Sequence, residues 1–183
     1  MKRQDFLKRT CGWAAAATLM AGGKSAFAGA QDATAEAKQA EAFRKFVQGW
    51  IPDMLKTLDR TLSEEERLKF MEENGRACAS RGGSVAWAKG FGGDVDKFLA
   101  EMRKHLGEPN AVRSGKSVRL TYEKCLCPLV SGLEGPLSST YCLCTQGWTK
   151  AVYEALTGKP VEVALLGSIK RGDPKCLIEV RLA

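Results

Sequence analysis

The chain holds a single histidine, His105, among its 183 residues. A cysteine–histidine catalytic pair would have to use it, and no local motif supports that role. It reads instead as a boundary residue at the edge of a helix's apolar face. Long apolar runs are also missing. The run at residues 11–22 is roughly a dozen residues long against the twenty or so a membrane-spanning helix needs, so it is no anchor. There is no dense Lys/Arg stripe either. Charges of both signs alternate along the helical segments, which argues against nucleic acid as a partner. No whole structural unit repeats, and the only low-complexity tract is a short Ala-rich stretch. Lys89-Gly90-Phe91-Gly92-Gly93 lacks the preceding strand and the GK[ST] ending of a phosphate loop, and reads as a connector.

What is present begins with an export signal. Lys2, Arg3, Lys8 and Arg9 form a basic start, the short apolar run follows, and Ser25-Ala26-Phe27-Ala28 supplies an A-x-A exit. Cleavage is expected after Ala28, which makes residues 1–28 a signal peptide and places the mature protein in the periplasm or outside the cell. The membrane is then a partner only during export. Arg3-Gln4-Asp5-Phe6-Leu7-Lys8 resembles the twin-arginine export motif, with Gln4 where its second arginine belongs, so both that route and the general one stay open. The signal takes five basic residues and one acid with it, lowering the net charge from +7 to +3. What remains is the size of one ordinary domain.

Residues 29–42 read as a flexible, Ala-rich lead-in and residues 43–183 as one α+β domain with a helical half at 43–109 and a cysteine-rich half at 110–183. Phe43, Phe46, Val47, Trp50, Ile51, Met54, Leu55 and Leu58 follow helical spacing on one expected core face. Pro52 is expected to kink or split that helix near Gly49. Ser63-Glu64-Glu65-Glu66 is a capping box opening a second helix, with Leu68, Met71 and Cys78 inward, ended by Arg81-Gly82-Gly83. A third runs from Asp94 to Leu106 and stops at Gly107. From residue 110 the period becomes two: Val118, Leu120 and Tyr122 alternate with polar neighbours after a turn at Ser114-Gly115. A helix carrying Trp148, Val152 and Leu156 follows, and two strands flanking Arg171-Gly172-Asp173-Pro174 end the chain. The order predicts N-terminal helices packed on a small antiparallel sheet, with a further helix before a C-terminal β-hairpin.

Six cysteines survive signal removal, at 78, 125, 127, 142, 144 and 176. Cys125-Leu126-Cys127 and Cys142-Leu143-Cys144 form two C-x-C pairs fourteen residues apart. In extended backbone, residues two apart share a face at roughly 6.5–7 Å, so each pair aims two sulfurs at one place. By strand parity Cys125 and Cys127 fall on the face opposite Leu120 and Tyr122. Cys142 and Cys144 precede a helix, whose free N–H groups favour thiolate. Four thiolates suit a tetrahedral zinc or an iron–sulfur cluster, although familiar zinc sites prefer C-x-x-C. Two disulfides or a reactive thiol pair remain open alongside. Cys176 alternates with Ile178, Val180 and Leu182 and reads as a core thiol, as does Cys78.

From Cys142 through Trp148, Gly158-Lys159-Pro160 and Gly172-Asp173-Pro174-Lys175-Cys176, the tail resembles the closing third of a ligand-binding superfamily. That superfamily includes the 4-vinyl reductase domain and the aminothiazoline-carboxylate hydrolases, and the cysteine-paired version here is most similar to an uncharacterised bacterial and archaeal family. The resemblance implies an α+β fold with a small-molecule pocket between sheet and helices, and in some relatives a metal-binding cysteine set. It marks Cys176 as the family-type cysteine after Gly-Asp. Function is then expected to be binding of a small molecule or metal ion at a four-cysteine site of Cys125, Cys127, Cys142 and Cys144, or else cysteine- or metal-dependent hydrolysis of a small heterocycle or amide.

Overall fold

The computed structural model describes residues 26–107 and 110–183, with side chains from residue 35 onward. Most of the expected signal peptide lies outside the described residues. The chain divides into two units, residues 1–40 and 41–183. The described part of the first is the opening of helix α1, Ala26–Thr61, which runs through the residues set apart above as a lead-in.

The second unit contains the rest of α1, then α2 (Glu64–Arg81), α3 (Ser84–Lys89), α4 (Val95–Leu106), β1 (Ala111–Ser114), β2 (Ser117–Tyr122), α5 (Cys144–Thr157), β3 (Val161–Gly167) and β4 (Cys176–Leu182). The four strands pair antiparallel in the order β1-β2-β4-β3. Register sets Leu120 opposite Ile178 and Val118 opposite Val180. These four are buried to within 1% of full burial, whereas Arg119 and Arg181 of the alternate positions face solvent. Helices cover the apolar face: Phe98 and Leu99 of α4 and Val152, Tyr153 and Leu156 of α5 share one core with the strands. Trp87 and Phe91 complete it against Phe98, with ring centroids 4.9 and 5.4 Å away. The domain is α+β, as the change of period predicts.

Local signals explain the helix ends. Ser63 and Glu66 bond reciprocally, the Glu66 carboxylate accepting the Ser63 N–H at 2.8 Å. Asp94 accepts the Lys97 N–H at 2.9 Å, and Gly107, at φ +81°, ends α4 in a conformation that other residues rarely adopt.

Three expectations are corrected. α1 does not split near Gly49; it continues through Pro52, where only the bond to the Gln48 carbonyl is forfeited and buried Ile51 and Leu55 hold the turn against a second cluster containing Val130, Tyr141 and Cys142. The long apolar stripe of α1 is not all core, because that cluster covers only one side of it. Phe43, Phe46 and Trp50 stay 67%, 68% and 54% exposed. On α2 the inward stripe is Met71-Gly75-Ala79, one position away from Cys78, which is exposed.

Candidate functional site

Among the described residues α2 and α5 make the most extensive contact between elements, and it is a backbone contact. A methyl on Gly75 would overlap the Cys144 carbonyl, and one on Gly147 would overlap the Glu72 carbonyl. Only glycine permits so close an approach. Ion pairs fasten both sides: Arg76 with Glu154 and Lys150 with Glu72, each at 2.7 Å. The crossing brings Cys78, one turn beyond Gly75, beside Cys144 at the start of α5.

The first C-x-C pair arrives differently. Strand β2 stops at Tyr122, and residues 123–140 hold no helix or strand, so parity does not carry Cys125 and Cys127 to the outer face as expected. Instead the chain turns inward. The Cys127 carbonyl accepts the Val130 and Ser131 N–H groups at 3.2 and 2.8 Å, and fully buried Val130 anchors the turn on α1. Both thiols become half-buried against the second cluster.

Cys176 opens β4 opposite Tyr122. It keeps the core parity expected of it, but sits where the sheet ends and is half-buried. The Gly-Asp preceding it has a local function. Gly172 takes φ +99°, the Asp173 carboxylate accepts the Ser168 N–H at 2.7 Å, and the Ser168 hydroxyl donates to the Cys142 sulfur at 2.9 Å. Cys127 Sγ and the Tyr141 hydroxyl lie 3.2 Å apart.

All six cysteines line one cavity of about 300 Å³. Tyr122, Tyr141, Trp148, Leu165 and Ile178 supply its large apolar side chains, and its polar members are Lys124 and Thr145 together with Ser168 and Lys170 from the turn between β3 and β4. Among the described residues the wall carries no histidine and no carboxylate. The sulfurs are close enough to influence one another: Cys144 responds to Cys127, Cys142 and Cys78, and both Cys125 and Cys142 respond to Cys176. Among the described residues no three metal-ligating side chains are grouped to hold one ion, and the six cysteines are unbridged thiols.

Burial sets the acidity of three of them. It raises the Cys125 and Cys142 thiols above the ordinary value and, with the neighbouring sulfurs, pushes Cys144 up to about 12. The expectation that the helix start would make Cys144 a thiolate is therefore corrected, because desolvation outweighs what the α5 terminus offers. Ser168 opposes the rise at Cys142 through its donated hydrogen bond. Burial also drives the Tyr122 hydroxyl to about 12 and the Tyr141 hydroxyl further still. With Cys125, Cys142, Cys144 and both phenols shifted away from ionisation, the wall they form is largely apolar near neutral pH.

Residues 92–183 match a family described as "Family of unknown function (DUF6144)". The chain belongs to that family. Five of the six cavity cysteines fall inside the matched stretch of this DUF6144 member, and Cys78 falls outside it. No curated protein matches the chain. Among solved structures it is similar to the "crystal structure of the phenol-responsive sensory domain of the transcription activator PoxR with Phenol", at 21% identity over 74% of each chain and a TM-score of 0.49.

The structure gathers Cys125, Cys127, Cys142 and Cys144 at one cavity and adds Cys78 and Cys176. His105 is exposed and absent from the wall. Sequence reasoning missed Lys170. It sits in a Lys-Arg-Gly-Asp run that has the composition of a solvent-facing turn, and nothing local marks it for burial.

Proposed function

We propose that this chain is an exported binding protein that holds a small, mostly apolar molecule in its cysteine-lined cavity. The carrying observation is the cavity itself: about 300 Å³ at the end of the sheet, walled by aromatic rings, aliphatic side chains and neutral thiols, with few polar groups. Ligand pockets start at about this volume and have this composition. The resemblance of the tail to a ligand-binding superfamily supports the same reading, and the signal-like first residues support export. Hydrolysis is the weaker alternative. A thiol nucleophile wants a base beside it or a depressed pKa, whereas among the described residues the wall holds no histidine or carboxylate and burial raises three of its thiols.

A second reading is favoured by the donor set. Leucine or valine would wall an apolar pocket as well as cysteine does, so two C-x-C pairs at one cavity argue for a thiophilic ion held by Cys125, Cys127, Cys142 and Cys144, with zinc or an iron–sulfur cluster as candidates. Residues 123–140 would have to close on the start of α5 to bring four sulfurs onto one ion. Such a centre would be closed and structural, with no position for water.

Native and denaturing mass spectrometry of the protein purified from its own export compartment tests both readings. Small-molecule binding predicts a polypeptide beginning at Gly29 with an organic adduct lost on denaturation, and a Leu165→Trp variant, which fills the cavity, that lacks it. A metal-sized mass increment retained in that variant and matched by metal analysis supports the second reading. Two mass units lost per cysteine pair, with neither adduct, supports disulfides and overturns both.

A further inference from the structure

Lys170 is 5% exposed, and its side chain forms part of the cavity wall. It is fixed at both ends: its Nζ donates to the Leu133 carbonyl, and its own carbonyl accepts the Leu137 N–H at 2.7 Å. A neutral carbonyl satisfies one of an ammonium's three donors and none of its charge. The other half-buried cations of the domain show the contrast. Lys150 is paired with Glu72, and Arg76 with Glu72 and Glu154. Among the described residues no ion pair involves Lys170 and the wall around it has no carboxylate. Asp173, in the same turn, is engaged by the Ser168 N–H. Lys124 lines the cavity too, and the Arg171 Nε is buried without a hydrogen-bond partner. Buried charges in folded proteins are almost always paired, and this one lacks its anion.

Resting on the small-molecule reading above, we infer that the cavity's ligand is a small monocarboxylate whose carboxylate sits on Lys170 and whose ring or branched body lies among Tyr122, Trp148, Leu165 and Ile178. One buried lysine suits one negative charge, since Lys124, the other lysine on the wall, is exposed to solvent. A phosphate ester brings up to two charges and three strong acceptors. The wall offers it few further donors, since the Ser168 hydroxyl already bonds to Cys142 and the Ser168 N–H to Asp173. The volume of about 300 Å³ admits a single ring or a short branched chain.

Benzoate and its neutral isostere benzamide are the probes, titrated calorimetrically into the full-length mature protein under reducing, metal-free conditions. The variants are Lys170→Met, which keeps the length of the side chain, and Lys159→Met on an exposed turn as control. Far-UV circular dichroism checks their fold. The unmutated protein should prefer benzoate by about tenfold or more, the loss expected when one partner of a buried charged pair is absent. Lys170→Met should abolish the preference by weakening benzoate alone, and Lys159→Met should preserve it. Equal binding of both probes to the unmutated protein overturns the carboxylate inference and leaves the cavity reading standing, and it does so even if Lys170→Met does not fold. Binding of neither probe at millimolar concentration overturns both. A benzoate preference that survives Lys170→Met assigns the anion to another cation. Zinc affinity that falls in Lys170→Met without any benzoate binding makes Lys170 a counter-charge to thiolates and also overturns the inference.

Discussion

Gly75 and Cys144 meet backbone to backbone: a methyl on Gly75 would overlap the Cys144 carbonyl oxygen and stand 2.7 Å from the Trp148 nitrogen. Gly75→Ala must therefore push α5 away from α2. Neither obstacle is the tip of a side chain, so neither can swing aside. The expected loss is about 1–3 kcal/mol or more, the range for overpacking a tight interior, read as a lower denaturant midpoint. Gly49→Ala is the contrast, since nothing lies within 4 Å of a methyl there and the site is mid-helix. It should stabilise by about 0.5–1 kcal/mol. Equal effects from both substitutions would contradict the close crossing.

The six thiols should differ in reactivity. Cys78 is exposed, Cys142 is buried, and burial pushes the Cys144 thiol up to about 12. At pH 8, iodoacetamide should modify Cys78 first and leave Cys142 and Cys144 until denaturant is added, as peptide mapping would show. Ser168→Ala removes the hydroxyl that bonds to Cys142 and favours its thiolate. The Cys142 pKa should rise further and its alkylation slow again. Faster alkylation would mean that Ser168 shields the sulfur and does not tune it.

Much of this arrangement was legible in the residues. Asp94 and Gly107 bracket α4 through capping chemistry that acts within one turn, and Val118-Leu120-Tyr122 declares its buried face by alternation alone. What escaped depends on contacts distant in sequence. α3 spans six residues, too few to display a period. Cys78 was read as core because helical spacing was judged by large apolar side chains. The crossing instead uses Met71, Gly75 and Ala79, where small residues let backbones touch. Strand parity misplaced Cys125 because β2 ends three residues earlier, and Lys170 is buried by a loop more than thirty residues away in sequence.

Glu72 gives the domain an acid-sensitive fastening. Burial alone would raise its carboxyl, but Lys150 at 2.7 Å and Arg76 at 3.3 Å outweigh that and hold it below the ordinary 4.5. With the folded pKa lower than the unfolded one, the unfolded chain binds more protons between the two values. The contribution is present above about pH 4.5 and is lost as pH falls through the folded value. Glu72→Gln should lower stability at pH 7 and flatten the decline below pH 4.5, measured as denaturant midpoints from pH 7 to 3. A decline of unchanged steepness would move the acid sensitivity elsewhere, first to Asp59, whose carboxyl is held low by Ser138, Thr140 and Arg67.

The metal reading is separable from the small-molecule one by how the thiols fail. If Cys125, Cys127, Cys142 and Cys144 close on one ion, zinc added to the reduced, metal-free protein must displace protons from thiols, and burial has made those of Cys125, Cys142 and Cys144 hard to ionise. Zinc affinity should then climb steeply between pH 6 and 8, and each of the four serine substitutions should abolish stoichiometric binding. Cys78→Ser and Cys176→Ser differ in what they report. Cys78 lies outside the stretch shared with the family and is exposed, so its loss should leave zinc binding intact. Cys176 faces both C-x-C pairs electrostatically, through Cys125 and Cys142, and follows the Gly-Asp turn that positions Ser168. A loss of zinc in Cys176→Ser equal to that in the four would make it a fifth participant. Tight binding that survives removal of one whole C-x-C pair would sink the single-site idea and leave the other pair as a separate dithiol.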